Sequence, residues 1–228
     1  MQQHPSQIYK ADFRGKSESE KFRCLSIFNF GDFFNDSRAP FGNLYVFNEE
    51  TLAPGHKIKM EVPANSDILI LPFVGGIDYK NSIQKKQFFG AEQMHFFSAE
   101  EGMSFEISNP YEEDEVSYLQ IWISNENPHL EPKSSLFEVD MNVRNSLFQI
   151  MENQRVSVEI GLFDGRQEGF YALKNKCNTL FAFVLNGAFE FQNRLLESRD
   201  ALGIWDLNEA EFEALSENAI LLILEISE

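Results

Sequence analysis

The side chains able to do chemistry are few and scattered. Four histidines occur, His4, His56, His95 and His129, and none are spaced as His-x-His or His-Glu-x-x-His. Iron and zinc sites need imidazoles and carboxylates that converge on one point, so this spacing offers no metal motif. His4 and His129 fall in polar tail and linker stretches and are expected to be solvated. His56 follows the Pro54-Gly55 turn, and His95 sits mid-strand with a structural hydrogen bond as its expected role. No Gly-x-Ser-x-Gly elbow is present. Of the two cysteines, Cys24 lies beside Arg23 and near Lys21, charges that would lower a thiol pKa, although a small half-buried apolar side chain at a strand start is the expected role. Cys177, in the polar KNKCN, is expected to be the more accessible, and both are candidate redox thiols. The acidic run YEEDE (111–115) lacks the alternating ligands and central glycine of a calcium loop and reads as solvated. No Gly-Lys-Ser/Thr follows any glycine, so phosphate loops are absent.

The elements that must position these groups read as strands. Twenty-three phenylalanines fall in short runs punctuated by Gly, Asn and Pro. The clearest strands are 44–48, 56–62, 68–73, 94–98, 103–108 and 116–123. A second set follows at 156–162, 179–185, 188–192, 201–205 and 219–226. Helical spacing of Val143, Leu147 and Ile150 suggests a short helix over 143–151. The acidic stretch 207–215 is either a helix or a turn and a strand. ILILPFVGGIDYKN (68–81) lies over LFAFVLNGAFEFQN (180–193), matching Gly75 with Gly187 and Asn81 with Asn193. A repeat of half the chain implies duplicated domains. The expected division is a barrel over 1–128, a linker with a short helix over 129–150, and a barrel over 151–228, the break falling near 125–135.

Composition bounds the partners. The chain has 228 residues and a formal charge of −17, which disfavours nucleic acid and anionic membrane surfaces. No apolar run approaches the ~18 residues of a membrane span, and the first residues lack a signal-peptide layout. A cytoplasmic protein is the expectation.

The first half resembles the pirin family, proteins built from two tandem cupin barrels. LSIFNFGDFF (25–34), FGNLYVFNEETLAPG (41–55), SAEEGMSFEISNP (98–110) and LQIWI (119–123) follow the family's segments in order, over about residues 22–128. The resemblance implies an all-β bicupin, and for ordinary pirins an iron held by three His and one Glu, with flavonol dioxygenation or redox-sensing regulation as the activity. Counting along the motifs puts the four ligand positions at Glu61, Pro63, Phe105 and Ile107, which would line the N-terminal pocket, with Glu61 pairing with Lys59. Three of the four have no donor atom. The expectation is therefore a pirin-like protein without metal, cofactor or catalytic residues. It would bind a small apolar molecule or a protein partner, as a monomer or weak dimer. The alternatives are a quercetin dioxygenase-like enzyme with a non-standard metal site, or a thiol-based redox sensor.

Overall fold

The computed structural model describes residues 4–81, 86–125 and 134–227. Strand β1 (Ser6–Tyr9) is followed by β2 (Gly15–Glu18), β3 (Phe22–Ser26), β4 (Leu44–Leu52), β5 (Lys57–Glu61), β6 (Ser66–Val74) and β7 (Gly76–Asn81). Next come β8 (Gln87–Gly90), β9 (Gln93–Ala99), β10 (Ser104–Ser108), β11 (Val116–Ser124) and β12 (Ser134–Glu138). The second half adds β13 (Leu147–Glu152), β14 (Val156–Phe163), β15 (Glu168–Ala172), β16 (Thr179–Asn186), β17 (Ala188–Phe191), β18 (Arg194–Glu197), β19 (Ala201–Ile204), β20 (Glu209–Ala214) and β21 (Ala219–Ile226). Among the described residues helix is limited to two 3₁₀ turns, and no helix is long and apolar enough to cross a membrane.

Two compact units result, residues 15–139 and residues 1–14 with 140–228. In the first, a seven-stranded sheet of order β12-β9-β6-β11-β4-β3-β2 accompanies a four-stranded sheet of order β5-β10-β7-β8. In the second, a six-stranded sheet of order β1-β19-β16-β21-β14-β13 accompanies a four-stranded sheet of order β15-β20-β17-β18. Apart from β2, which has no counterpart in the second unit, the orders correspond, so each unit is a cupin-type barrel and the chain is an all-β bicupin. The hairpins at Gly75 and Gly187 hold equivalent places, β6 into β7 and β16 into β17. Both glycines need positive φ, +69° and +79°, a region that disfavours residues with a Cβ. Each barrel closes on its own apolar cluster, one including Ile68, Tyr79, Phe97, Phe105 and Trp122, the other Phe163, Leu180, Phe189, Phe212 and Leu221.

Several expectations are corrected. Residues 143–151 form no helix: a turn leads into β13, which pairs with β14. The pairing register slips between Gln149 and Met151, so Ile150 has no partner of its own and Ile150 and Met151 are buried side by side. That bulge breaks strict alternation and produces apolar residues at helical spacing. Residues 207–215 take the turn-and-strand form, as β20. The division of the chain also differs from 1–128, 129–150 and 151–228. Strand β1 belongs to the second unit, where Ser6 to Tyr9 pair with Ile204 to Ala201 and Tyr9 packs 5.8 Å from Phe181. Strand β12 belongs to the first, pairing with β9. The expected break near 125–135 lies mostly outside the described residues.

Candidate functional site

Alternation along β4 sends Val46, Asn48, Glu50 and Leu52 to the inside of the first barrel. In an otherwise apolar face, Asn48 and Glu50 are the exceptions, and both are fully buried. Pairing extends the pattern sideways. Asn48 lies opposite Gln120 of β11, Gln120 opposite Ile70 of β6, and Ile70 opposite His95 of β9. Residues directly opposite share a face of the sheet. One lateral row therefore reads Asn48, Gln120, Ile70, His95, across four adjacent strands.

This row is polar, buried and unsatisfied. Asn48 Oδ1, both ends of the Gln120 amide, His95 Nδ1 and, one inward position along β11, Trp122 Nε1 have no hydrogen-bond partner among the described residues. Leaving one such group unpaired costs about 1–3 kcal/mol. Five together are far from what a folded interior tolerates without something to pair with them.

Beside the row stands a carboxyl group with only neutral neighbours. Glu50 accepts from Tyr118 Oη at 2.7 Å, from Asn48 Nδ2 at 3.4 Å and from Cys24 Sγ at 3.8 Å. Burial pushes its pKa up to about 7, the three hydrogen bonds only partly opposing that. Burial acts on His95 with the opposite sign, holding it down at about 4, so its imidazole is neutral. His95 Nε2 lies 2.9 Å from Ser134 Oγ. Aromatic rings wall the imidazole: Tyr79 at 4.5 Å edge-on, Phe97 at 5.2 Å and Phe89 at 5.2 Å. From Phe97 the contacts run on to Phe105 at 5.2 Å, and from Phe105 to Trp122 at 6.0 Å.

The four positions expected to line a metal pocket are not brought together. Phe105 and Ile107 are buried inside the barrel, but Glu61 and Pro63 are exposed. Register gives the reason. Phe105 of β10 lies opposite Met60 and Ile107 opposite Ile58, so Glu61 pairs with Ser104 on the outer face. The inward residues of β5 are thus Ile58 and Met60, one residue out of step with the motif count. The ion pair on the outer face is Lys57 with Glu106 at 3.2 Å, and none joins Lys59 to Glu61 among the described residues. With Ile58, Met60, Phe105 and Ile107 at the centre, the donor set is hydrocarbon and one thioether, which does not fit a non-haem iron. Among the described residues no three His, Cys, Asp or Glu side chains are grouped to hold a metal ion.

The cysteines separate as exposure suggested. Cys24 is buried, 3.4 Å from Ser26 Oγ and beside Glu50, whereas Arg23 alternates to the other side and donates to Thr51 Oγ1. Its near neighbour is a carboxyl, not the guanidinium read from the sequence. Cys177 is exposed, and neither cysteine forms a disulfide. His4 is half-buried rather than solvated, its Nδ1 donating to the Asp206 carbonyl at 2.6 Å. His56 is half-buried at the turn before β5, and its carbonyl accepts from Asn109 N–H at 2.9 Å. His129 lies outside the described residues.

The second barrel contrasts with the first. The equivalent row of the second barrel reads Glu159, Ile223, Ala182, Leu202, so one half-buried carboxyl stands among apolar side chains where the first barrel has its polar row. Of its buried acidic residues, Glu225 accepts from Tyr171 Oη at 2.7 Å, Asn178 Nδ2 at 2.6 Å and the Lys174 N–H at 3.0 Å. Sequence reasoning missed Asn48, Glu50 and Gln120. All three lie inside the segments FGNLYVFNEETLAPG and LQIWI, and the signal was their place on the apolar side of the alternation.

Comparison with known proteins places this geometry. The family of the quercetinase C-terminal cupin domain matches residues 144–226. A Pasteurella multocida protein named for quercetin 2,3-dioxygenase is 29% identical over 122 residues, a match spanning 53% of this chain and only 52% of that one. The quercetin 2,3-dioxygenase of Escherichia coli K12 is 20% identical over 225 residues, 94% of this chain and 96% of the relative. Among solved structures, the bacterial pirin YhhW of Escherichia coli in complex with nickel(II) superposes with a TM-score of 0.85 at 16% identity, covering 98% and 99% of the two chains.

Proposed function

This chain belongs to the pirin family of bicupins, and we propose that its first barrel serves as a small-molecule binding site that does not use iron. One observation carries the reading. The inward positions of β5 and β10 present no imidazole or carboxylate, while the facing sheet presents a buried row of unpaired polar groups. A barrel that had lost its metal and its function together would be free to fill with apolar side chains. This one keeps Asn48, Gln120 and His95 inside at a cost in stability.

The test is a quercetin turnover assay with iron or nickel supplied, run beside a thermal-shift screen of small metabolites. The expected outcome is no quercetin consumption and a rise in melting temperature with at least one class of small molecule. Quercetin oxidation at a rate dependent on added metal would contradict it, as would a screen with no response. The relatives' names favour the oxygenase reading, which would need ligands outside the positions described above.

A further inference from the structure

We propose that the outer face of the sheet β15-β20-β17-β18 docks a segment of another protein that carries Arg or Lys side chains among apolar ones. The inference is independent of what the first barrel binds, since this face belongs to the second unit and lies outside its core.

Strand register assembles the surface. Tyr171, Phe189 and Phe212 belong to the apolar cluster of the barrel, so alternation turns their neighbours along each strand outward. One lateral row on the outer face reads Glu168, Glu213, Glu190, Leu195. The next begins with Phe170 opposite Glu211, and Glu209 follows on β20. Like charges directly opposite each other destabilise a sheet. Two such pairs stand here, Glu168 with Glu213 and Glu213 with Glu190. Arg166 reaches Glu213 at 3.2 Å. Glu168, Glu190, Glu209 and Glu211 have no ion pair or side-chain hydrogen bond among the described residues.

The fold does not require this arrangement. In the first unit the corresponding sheet, β5-β10-β7-β8, has Lys57, Ser108 and Asp78 in the equivalent row, and Lys59, Glu106 and Lys80 in the next. Its charges are mixed in sign and pair, as Lys57 does with Glu106 at 3.2 Å. The second unit instead sets five glutamates around a groove of about 500 Å³. Beside them Phe170 is 64% exposed and Leu195 56%, one on each edge strand of the sheet. Three strand spacings, roughly 14 Å, separate those strands, a span that a short peptide segment covers. A guanidinium or ammonium over Phe170 gains from the ring face as well as from the carboxylates. A purely ionic partner leaves Phe170 and Leu195 in water, and a purely apolar one strips water from unpaired carboxylates. Basic side chains interleaved with apolar ones satisfy both, and the complementary charge steers the encounter.

The test titrates the full chain into a fluorescein-labelled peptide alternating Arg with Leu, read by anisotropy at roughly 0.15 M salt, where long-range attraction is screened. A peptide with Ser in place of Leu, and spermidine, are the comparison probes. One variant neutralises the face through Glu168→Gln, Glu190→Gln, Glu209→Gln and Glu211→Gln. A second makes the same change of charge in the 111–115 run, through Glu112→Gln, Glu113→Gln, Asp114→Asn and Glu115→Gln. The face variant should weaken binding of the Arg–Leu peptide about tenfold or more, and the 111–115 variant less than about twofold. Phe170→Ser, which keeps every carboxylate, should weaken it several-fold. The face variant should also melt no lower than the native chain, because repelling pairs are removed. Equal weakening by the two charge variants would overturn the inference, by showing that the peptide senses net charge alone. So would the Arg–Ser peptide or spermidine binding as tightly as the Arg–Leu peptide, and so would no binding of that peptide at all. Should the face variant fail to fold, Phe170→Ser and Glu211→Gln decide singly, and undiminished binding in both overturns the inference.

Discussion

Glu50 and His95 are buried in the same barrel, and burial moves their pKa values past each other, Glu50 upward and His95 downward. Between pH 4.5 and about 7, folded Glu50 keeps a proton that the unfolded chain has released, so its contribution to stability is lost as pH rises through that window. Between pH 6.5 and about 4, folded His95 refuses a proton that the unfolded chain accepts, so its contribution is lost as pH falls. Each amounts to roughly 3 kcal/mol over its range, and where the ranges overlap they nearly offset. Glu50→Gln should therefore gain stability relative to the native chain as pH rises from 4.5 to 7. His95→Gln should gain relative to it as pH falls from 6.5 to 4. Urea denaturation at several pH values reads both slopes, and parallel curves for native and variant would contradict the assignments. Thiol reactivity belongs to the same scale. Iodoacetamide should label Cys177 in the native state, and Cys24 only after unfolding, by peptide mass spectrometry. Alternation alone places Asn48 and Glu50 inside, so these residues were legible in principle. That Gln120 aligns with Asn48 depends on pairing between strands far apart in sequence, which a single chain read end to end does not reveal.

Register decides the element scale. Counting from Pro54-Gly55 put the family's ligand positions on Glu61 and Pro63, yet β5 pairs with β10 so that Ile58 and Met60 face Ile107 and Phe105. A one-residue slip exchanges the inner and outer faces of a strand, so motif counting across a turn fails where the apolar alternation of Ile58, Met60 and Val62 succeeds. The consequence can be measured. Replacing Ile58→His, Met60→His, Phe105→His and Ile107→Glu together should create binding of a divalent metal. The set Glu61→His, Pro63→His, Phe105→His and Ile107→Glu should not, because two of its imidazoles point to solvent. The hairpins give a second check. At Gly187 a Cβ would stand 3.0 Å from the Ala219 Cα and collide with Ser216 Oγ, at φ +79°. Gly187→Ala should cost about 2 kcal/mol or more, while Gly90→Ala, with nothing within 4 Å, should be close to neutral in the same denaturation experiment.

At the scale of the whole molecule, two barrels of matching strand order carry different interiors: the first has the unpaired polar row, and the second sets Ser157, Glu159 and Glu225 among apolar residues. The duplication was legible because glycine turns and strand lengths survive when core residues change, as the hairpins at Gly75 and Gly187 show. Where the units divide was not, since β1 and β12 join their sheets through long-range pairings of short, weakly apolar segments. The likeness read from residues 22–128 and the family match over 144–226 fall on different halves of the chain. Together they fit a protein that keeps the bicupin fold throughout, and our proposal is that the centre of its first barrel has changed chemistry. Metal content tests that claim most directly. Protein purified from cells grown with ample iron, and measured by plasma mass spectrometry after gel filtration, should carry no stoichiometric transition metal. One iron or nickel per chain, retained through gel filtration and lost on changing a residue of the first barrel, would contradict the account.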